Sequence, residues 1–244
     1  MTPLRIYHTS DLHDRRGIAP RLRALRAAQP GLLFDCGDSL RGSQTLYRAR
    51  EPIVAEMNAA HYDAQGMGNR EFHYRSALVV ARARKMLHPL LCSNLVDMRE
   101  RPLPFAPDLH LTTGGWNVRV FSLLVVQYPG GSPWERLFGW RFLDPVAVAL
   151  RTAAAVPDGT TLVLLSHLGL RADRELARAV PRLDLILGGH SHDTLHAPEY
   201  VGDVPIVHAG PYGALVSRAE LEPDARTGRG RLARFTLLPL LYAA

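Results

Sequence analysis

Five apolar, strand-like runs in this chain are each followed at once, or within a few residues, by glycine, aspartate or histidine, and helix-like segments separate most of them. The runs are LRIYHT (4–9), LLFD (32–35), YDAQGM (62–67), TLVLLS (161–166) and LDLILGG (183–189). Short, nearly continuous apolar runs suit strands buried on both faces. Between them, IAPRLRALRAAQ (18–29) puts Ile18, Leu22 and Leu25 on one helical face before Pro30-Gly31 ends it. Pro52 starts or kinks a helix that turns Ile53, Met57 and Ala60 inward, and a third helix is predicted over 74–86. This alternation confines the chain to an α/β architecture.

Later segments repeat the rhythm and then turn β-rich. LHLTTGGWNVRVFSLLVV (109–126) reads as a hairpin across Gly114-Gly115. Asp144-Pro145 is predicted to cap a helix through Ala155, and RELARAV (174–180) reads as a short helix. Strands are expected in VPIVHAG (204–210), ALVSRAELE (214–222) and GRLARFTLLPL (230–240). QYPGGSPWERLFGWRFL (127–143) is expected to be a long irregular segment in which Trp134, Phe138 and Trp140 pack locally. With no linker, charge block or repeat to divide it, the chain is expected to form a single domain over residues 1–244.

Composition removes several function classes. A hydrophobic content of 47% with 21% charged residues excludes intrinsic disorder, and 244 residues can build a core without disulfides. Cys36 and Cys92 read as buried structural thiols suited to a reducing cytoplasm. No apolar run approaches the ~20 residues of a membrane span. MTPLRIYHT runs straight into a strand pattern rather than a signal peptide, so a cytoplasmic protein with no membrane partner is expected. Lys85 is the only lysine, and the arginines behind the net charge of +6 are scattered along the chain. Nucleic-acid binders gather that charge in a stripe, so a nucleic-acid partner is not expected.

Polar residues collect where the apolar runs end: Asp11-Leu12-His13, Gly37-Asp38, Gly68-Asn69-Arg70-Glu71, Ser166-His167 and Gly188-Gly189-His190-Ser191-His192. Open α/β sheets gather their ligands at strand C-termini. Alone, an Asp-x-His or a Gly-Asp is commonplace. His190-x-His192 says more, because alternate side chains of an extended segment face the same way. Together these motifs offer two carboxylates, several imidazoles and an amide, the mixed set that Mn, Fe, Co or Zn accept. Two such ions can share a bridging carboxylate and a bridging hydroxide, an arrangement used for in-line attack on phosphorus.

In these motifs the chain resembles the calcineurin-like metallophosphoesterases, and within them the catalytic domain of the 5′-nucleotidase group. That group's pattern runs D-x-H, G-D, G-N-H-E, S-H and G-G-H-S-H. FDCGDSLRGS (34–43), EPIVAEMNAAHYDAQGMGN (51–69) and VHAGPYGALVSRAELE (207–222) agree over longer stretches. The resemblance implies a four-layer α-β-β-α sandwich, two mixed sheets packed face to face with helices outside. It implies one metal held by Asp11, His13, Asp38 and His192, and a second held by Asp38, Asn69, His167 and His190, with Asp38 bridging. Two manganese ions are expected, with Fe, Zn, Co or Ni as alternatives. The implied reaction is attack of a metal-bridging hydroxide on a small phosphate mono- or diester, nucleotides included. The group's C-terminal domain, which supplies nucleoside recognition, is expected to be absent.

The departure falls in the catalytic dyad. Arg70 stands where the family places a histidine, and His73 where this group places the aspartate that orients it. Arginine cannot hand a proton to an alkoxide, yet it can bind phosphoryl oxygens bidentately. His73 is the candidate substitute acid, its alternative being a histidine at a helix start. Asn94 and His208 are candidate substrate-binding residues, and His8 reads as a core or supporting histidine. Two readings follow: an active metal-dependent phosphoesterase, or a catalytically weak protein of the same fold acting as a binding or scaffold module. The oligomeric state stays open.

Overall fold

The computed structural model describes residues 2–241. The chain runs β1 (Leu4–Thr9), α1 (Ala19–Ala28), β2 (Leu32–Asp35), α2 (Pro52–Ala60), β3 (Ala64–Gly66), α3 (Ser76–Ala83), β4 (Leu90–Leu91) and β5 (Leu95–Asp97). It continues through β6 (Asp108–Thr113), β7 (Trp116–Leu124), α4 (Pro133–Phe138), β8 (Trp140–Phe142), α5 (Pro145–Ala154) and β9 (Thr161–His167). It ends with α6 (Leu170–Ala179), β10 (Leu185–Gly188), β11 (Glu199–Val201), β12 (Val204–His208), β13 (Leu215–Pro223) and β14 (Gly230–Pro239).

Two six-stranded mixed sheets result, in the orders β14-β13-β1-β2-β3-β4 and β11-β12-β10-β9-β7-β6. In the first, β1 to β4 are parallel, while β13 pairs antiparallel with both β1 and β14. In the second, β12, β10, β9 and β7 are parallel, with β11 and β6 antiparallel at the edges. Successive side chains of a strand face opposite ways, and this sorts the core into layers. Ile6, Phe34, Val163, Leu165 and Leu187 meet in the cluster between the sheets. Their neighbours Tyr7 and Leu33 instead pack with Leu22, Met57 and Val79 of α1, α2 and α3. On the far side, Leu162, Leu164 and Ile186 pack with Val148 and Leu176 of α5 and α6. The expected four-layer sandwich is borne out.

Local chemistry sets the boundaries. Gly114 and Gly115, at φ +55° and +84°, make the tight turn of the β6–β7 hairpin that two positive-φ residues favour. The Asp144 carboxylate accepts from the Ala147 amide at 2.7 Å and caps α5 as expected. Residues 127–143 are a correction: this stretch holds α4, closed by left-handed Gly139, and β8, which pairs with β5. A second correction is α6, which starts at Leu170, four residues before the predicted helix. Its first amide donates to Ser191 Oγ at 3.0 Å, a cap supplied from 21 residues away. Among the described residues, no helix is long and apolar enough to cross a membrane.

Candidate metal centre

Every motif residue sits at or just beyond the C-terminal end of a parallel strand. Asp11 and His13 follow β1, Asp38 follows β2, and Asn69 and Arg70 follow β3. His167 ends β9, and His190 and His192 follow β10. Because β1, β2 and β3 are neighbours in one sheet, and β9 and β10 in the other, the five strand ends meet along one edge of the sandwich. The approach is close enough to require glycine at position 68, where a Cβ would overlap the Asp38 amide and carboxylate.

Buried anchors hold the loops. The Glu71 carboxylate accepts from the amides of Asp38 (2.7 Å), Gly68 (3.0 Å), Ser39 (3.0 Å) and Leu40 (3.3 Å), and from Gln65 Nε2 (3.2 Å). Burial raises its pKa, with Asp38 adding to the effect, while the amide donors pull it back. Glu71 ends the Gly68-Asn69-Arg70-Glu71 motif, whose sequence alone assigns it no role. The signal was its place three residues after Gly68.

The backbone at the site is unusual. Asp11, His13, Asp38, His190 and His192 all lie in the left-handed region, with φ between 48° and 73°. For an L-residue that conformation costs roughly 1–2 kcal/mol. Asp and His visit it more readily than most, and such strain gathers at functional sites. Cross-loop hydrogen bonds fix it: the Asp11 amide donates to Gly37 O at 2.9 Å, and the His13 amide to Asp38 O at 3.0 Å.

The donor atoms form two overlapping clusters, Asp11–His13–His192 and Asp11–Asp38–His167. In the first, His13 Nε2 and His192 Nε2 stand 3.0 Å apart, and Asp11 Oδ1 lies 3.9 and 3.5 Å from them. In the second, His167 Nε2 is 3.4 Å from Asp38 Oδ1. The His190 ring stands 4.9 Å from that of His167, and its amide donates to Asp11 Oδ2 at 3.0 Å. Asp11 belongs to both clusters, and Asp38 lies within ligand reach of Asp11 and His167 in the second. Asn69 Oδ1 accepts from Gln127 Nε2 at 3.0 Å.

These residues fit a divalent metal. Asp11 Oδ1 and His167 Nε2 are buried without a hydrogen-bond partner, and such atoms call for a ligand. His167 Nδ1 lies 2.8 Å from Cys36 O, the second bond that orients a metal-binding imidazole. Burial pushes the Asp38 carboxyl up, but His167, the Arg70 amide and His13 together bring its pKa to about 2. Burial likewise pushes His167 down, but Asp38, Asp11 and Glu71 together raise its pKa to about 9. A cation can take the place of that shared proton. His13 is pushed down to about 4 by burial and then by Arg70, and His190 is lowered by burial and then by His167, so both stay neutral near pH 7, as ligands must.

Of the remaining candidates, only Arg70 reaches the cluster. Its Nε lies 3.8 Å from Asp38 Oδ2, and Nη1 donates to Leu40 O at 3.3 Å. His73 is buried and faces away: Nδ1 accepts from the Arg75 amide at 3.0 Å, and the ring meets the Thr45 carbonyl. Burial, then Arg82, lowers its pKa. Asn94 is spent on β7, donating to Leu124 O at 2.8 Å and accepting from its amide at 2.9 Å. His208 Nε2 meets Asp173 Oδ2 at 2.8 Å in a buried network that includes Ser166. Both side chains are thus hydrogen-bonded within the scaffold. His8 is buried against Ser217, as a core histidine.

No family model matches the chain. In sequence it is 29% identical over 240 residues to an uncharacterized metallophosphoesterase of Bacillus subtilis, covering 91% of this chain and 50% of that protein. It is 28% identical over 251 residues to the 5′-nucleotidase of Mus musculus, covering 88% and 42%. The chain therefore spans about half the length of these curated relatives. In structure it is similar to the 5′-nucleotidase precursor from Thermus thermophilus, at a TM-score of 0.78 and 25% identity over 97% of this chain and 54% of that one. The fold is also that of a calcineurin-like phosphoesterase from Bacillus subtilis, with a TM-score of 0.75 and 19% identity over 98% and 91%.

Proposed function

We propose that this chain, which resembles the calcineurin-like metallophosphoesterases in motif, sequence and fold, hydrolyses small phosphate esters with two divalent metal ions held at its strand ends. The observation that carries the reading is the convergence of Asp11, His13, Asp38, His167, His190 and His192, with the buried Asp11 Oδ1 and His167 Nε2 making no hydrogen bond of good geometry. One ion would take Asp11, His13, Asp38 and His192, and the other Asp38, Asn69, His167 and His190. When bound, such ions supply Lewis acidity to phosphoryl oxygens and lower the pKa of water. Manganese is the favoured activator, and the two free buried thiols suit a reducing cytoplasm.

The chain's own residues bind and orient. The Arg70 guanidinium, beside Asp38 and partly open to solvent, grips phosphoryl oxygens and offsets the charge they gather. Leu40 and Arg41 carbonyls hold it in place. His73 positions the segment leading into α3 rather than donating to the leaving oxygen. With no side-chain acid assigned to that oxygen, esters whose leaving group departs as a stable anion are the preferred substrates. Mono- and diesters, nucleotides among them, fall within this class.

Elemental analysis after Mn²⁺ loading, with turnover of 4-nitrophenyl phosphate and its diester, tests the reading. About two ions per chain and metal-dependent release of nitrophenol are expected. A protein that stays empty in millimolar Mn²⁺ removes it. A loaded protein that cleaves neither ester favours the binding-module alternative, whose support here is Arg70 in the place of the family's histidine.

A further inference from the structure

Resting on that phosphoesterase reading and extending it to the leaving group, we propose that a cavity beside the metal centre receives a flat aromatic ring of the ester. The cavity measures about 270 Å³ and is lined by Thr45, Tyr74, Gln127, Tyr128, Trp134 and Phe138.

Three observations converge on it. The first is continuity with the site. Gln127, one wall of the cavity, donates from Nε2 to Asn69 Oδ1 at 3.0 Å and is steadied by Val125 O at 2.9 Å. Tyr74, another wall, directly follows His73, whose ring meets the Thr45 carbonyl. A group in the cavity thus lies next to the candidate metal ligand Asn69.

The second is the aromatic wall. Trp134 and Phe138 are four residues apart on α4 and share a face, with ring centroids 5.8 Å apart and planes at 14°. Phe138 in turn stacks on Tyr74, at 4.7 Å and 26°. The expectation that the tryptophans of this segment only pack is correct for Trp140, which is buried. Trp134 packs on Phe138 as expected and yet is 52% exposed. Leu46 and Leu137, also exposed, lie in the flanking segments. An open indole beside a site is surface that a ligand can cover.

The third is chemistry and size. Aromatic walls with a few polar groups, here the Gln127 amide and the Thr45 hydroxyl, are what ring-binding pockets present. The volume falls just below the usual range for whole drug-sized ligands, so it suits a single ring system rather than a whole nucleotide. A π-face accepts any flat ring, so a nucleobase and a simple aryl group are served by the same wall.

The test compares adenosine 5′-monophosphate and phenyl phosphate with methyl phosphate on the Mn²⁺-loaded chain. Trp134→Ala and Phe138→Ala should each lower the ratio of aromatic to methyl ester kcat/KM by roughly 10-fold, the scale of one lost stacking partner. In the metal-free protein, Trp134 dominates the solvent-accessible tryptophan emission, since Trp116 and Trp140 are buried. Adenosine 5′-monophosphate and phenyl phosphate should quench it, and methyl phosphate should not. If both quench, the site takes any aryl ring; if only the nucleotide does, the occupant is a base. Turnover with an unchanged ratio in both variants and no quenching overturns the proposal and leaves the phosphoesterase reading standing. Quenching by a chain that cleaves no ester supports the ring site and overturns the phosphoesterase reading.

Discussion

Replacing Glu71 by glutamine removes one carboxylate oxygen from the point where the loops after β2 and β3 are tied together. Oε1 accepts from the Ser39 and Leu40 amides and Gln65 Nε2, and Oε2 from the Asp38 and Gly68 amides. Glutamine keeps one acceptor and turns an amino group toward the other set of donors. The smaller loss points that group at the Asp38 and Gly68 amides, leaving two buried N–H groups unpaired. At roughly 1–3 kcal/mol for each orphaned group, Glu71→Gln should cost ~2–6 kcal/mol. For a chain of this size that is a drop in Tm of roughly 5–20 °C. The same two amides carry Asp38 and the Asn69 loop, so Mn²⁺ affinity should fall along with stability. Calorimetry of the metal-free protein gives the first quantity, and Mn²⁺ titration gives the second. A Tm within about 2 °C of wild type with unchanged Mn²⁺ affinity would refute the anchoring role, because two buried orphan donors cannot be silent.

Other outcomes follow from the same geometry. Asp38→Asn removes charge from the proposed bridging position, and should abolish Mn²⁺-dependent hydrolysis and lower the bound metal while the circular dichroism stays native; retained metal and turnover would exclude the bridging role. Arg70→His should raise the rate on alkyl esters more than on nitrophenyl esters, by up to about 10²-fold if the new imidazole delivers a proton; a fall on both would show that the guanidinium is the needed clamp. His88 is buried and its pKa is pushed down to about 4 by burial. The unfolded chain therefore takes up a proton below pH 6.5 that the folded chain refuses, and His88's share of stability is complete above that pH and lost as pH falls toward 4. Between pH 7 and pH 5 the loss is about 2 kcal/mol. The stability gap between wild type and His88→Gln, followed by urea denaturation, should shift by that amount; a gap independent of pH would show that His88 titrates normally.

The sandwich was legible because its central strands declare themselves. TLVLLS and LDLILGG are continuous apolar runs with polar residues only at the end, and they became β9 and β10 with their motif histidines in the expected places. Residues 127–143 were not legible. Pro129, Gly130 and Gly131 mask a helix of six residues, and β8 exists only because β5 pairs with it. The partners of Asn94 and His208 were hidden for a related reason: they lie 30 and 35 residues away, so nothing local shows these scaffold hydrogen bonds. His73 is different: its bond to the Arg75 amide is local, but a histidine tied back to the chain and one offered to a substrate share one sequence signature. The membership of Asp11 in both donor clusters depends on how loops from the two sheets meet, which no motif encodes.

The left-handed backbone at Asp11, His13, Asp38, His190 and His192 restricts how these positions can drift. Each is screened twice, once for a donor atom and once for tolerance of positive φ. Valine or isoleucine would fail the second screen even in a chain with no catalytic duty, while asparagine and glycine pass it. A lineage released from selection for activity should therefore accumulate Asn and Gly here before any branched residue. His13→Gly would discard a donor and relieve strain in the same step, giving a sturdier protein with a poorer metal site. On the proposed metal-centre reading, backbone strain and the donor atom pull in opposite directions at these five positions.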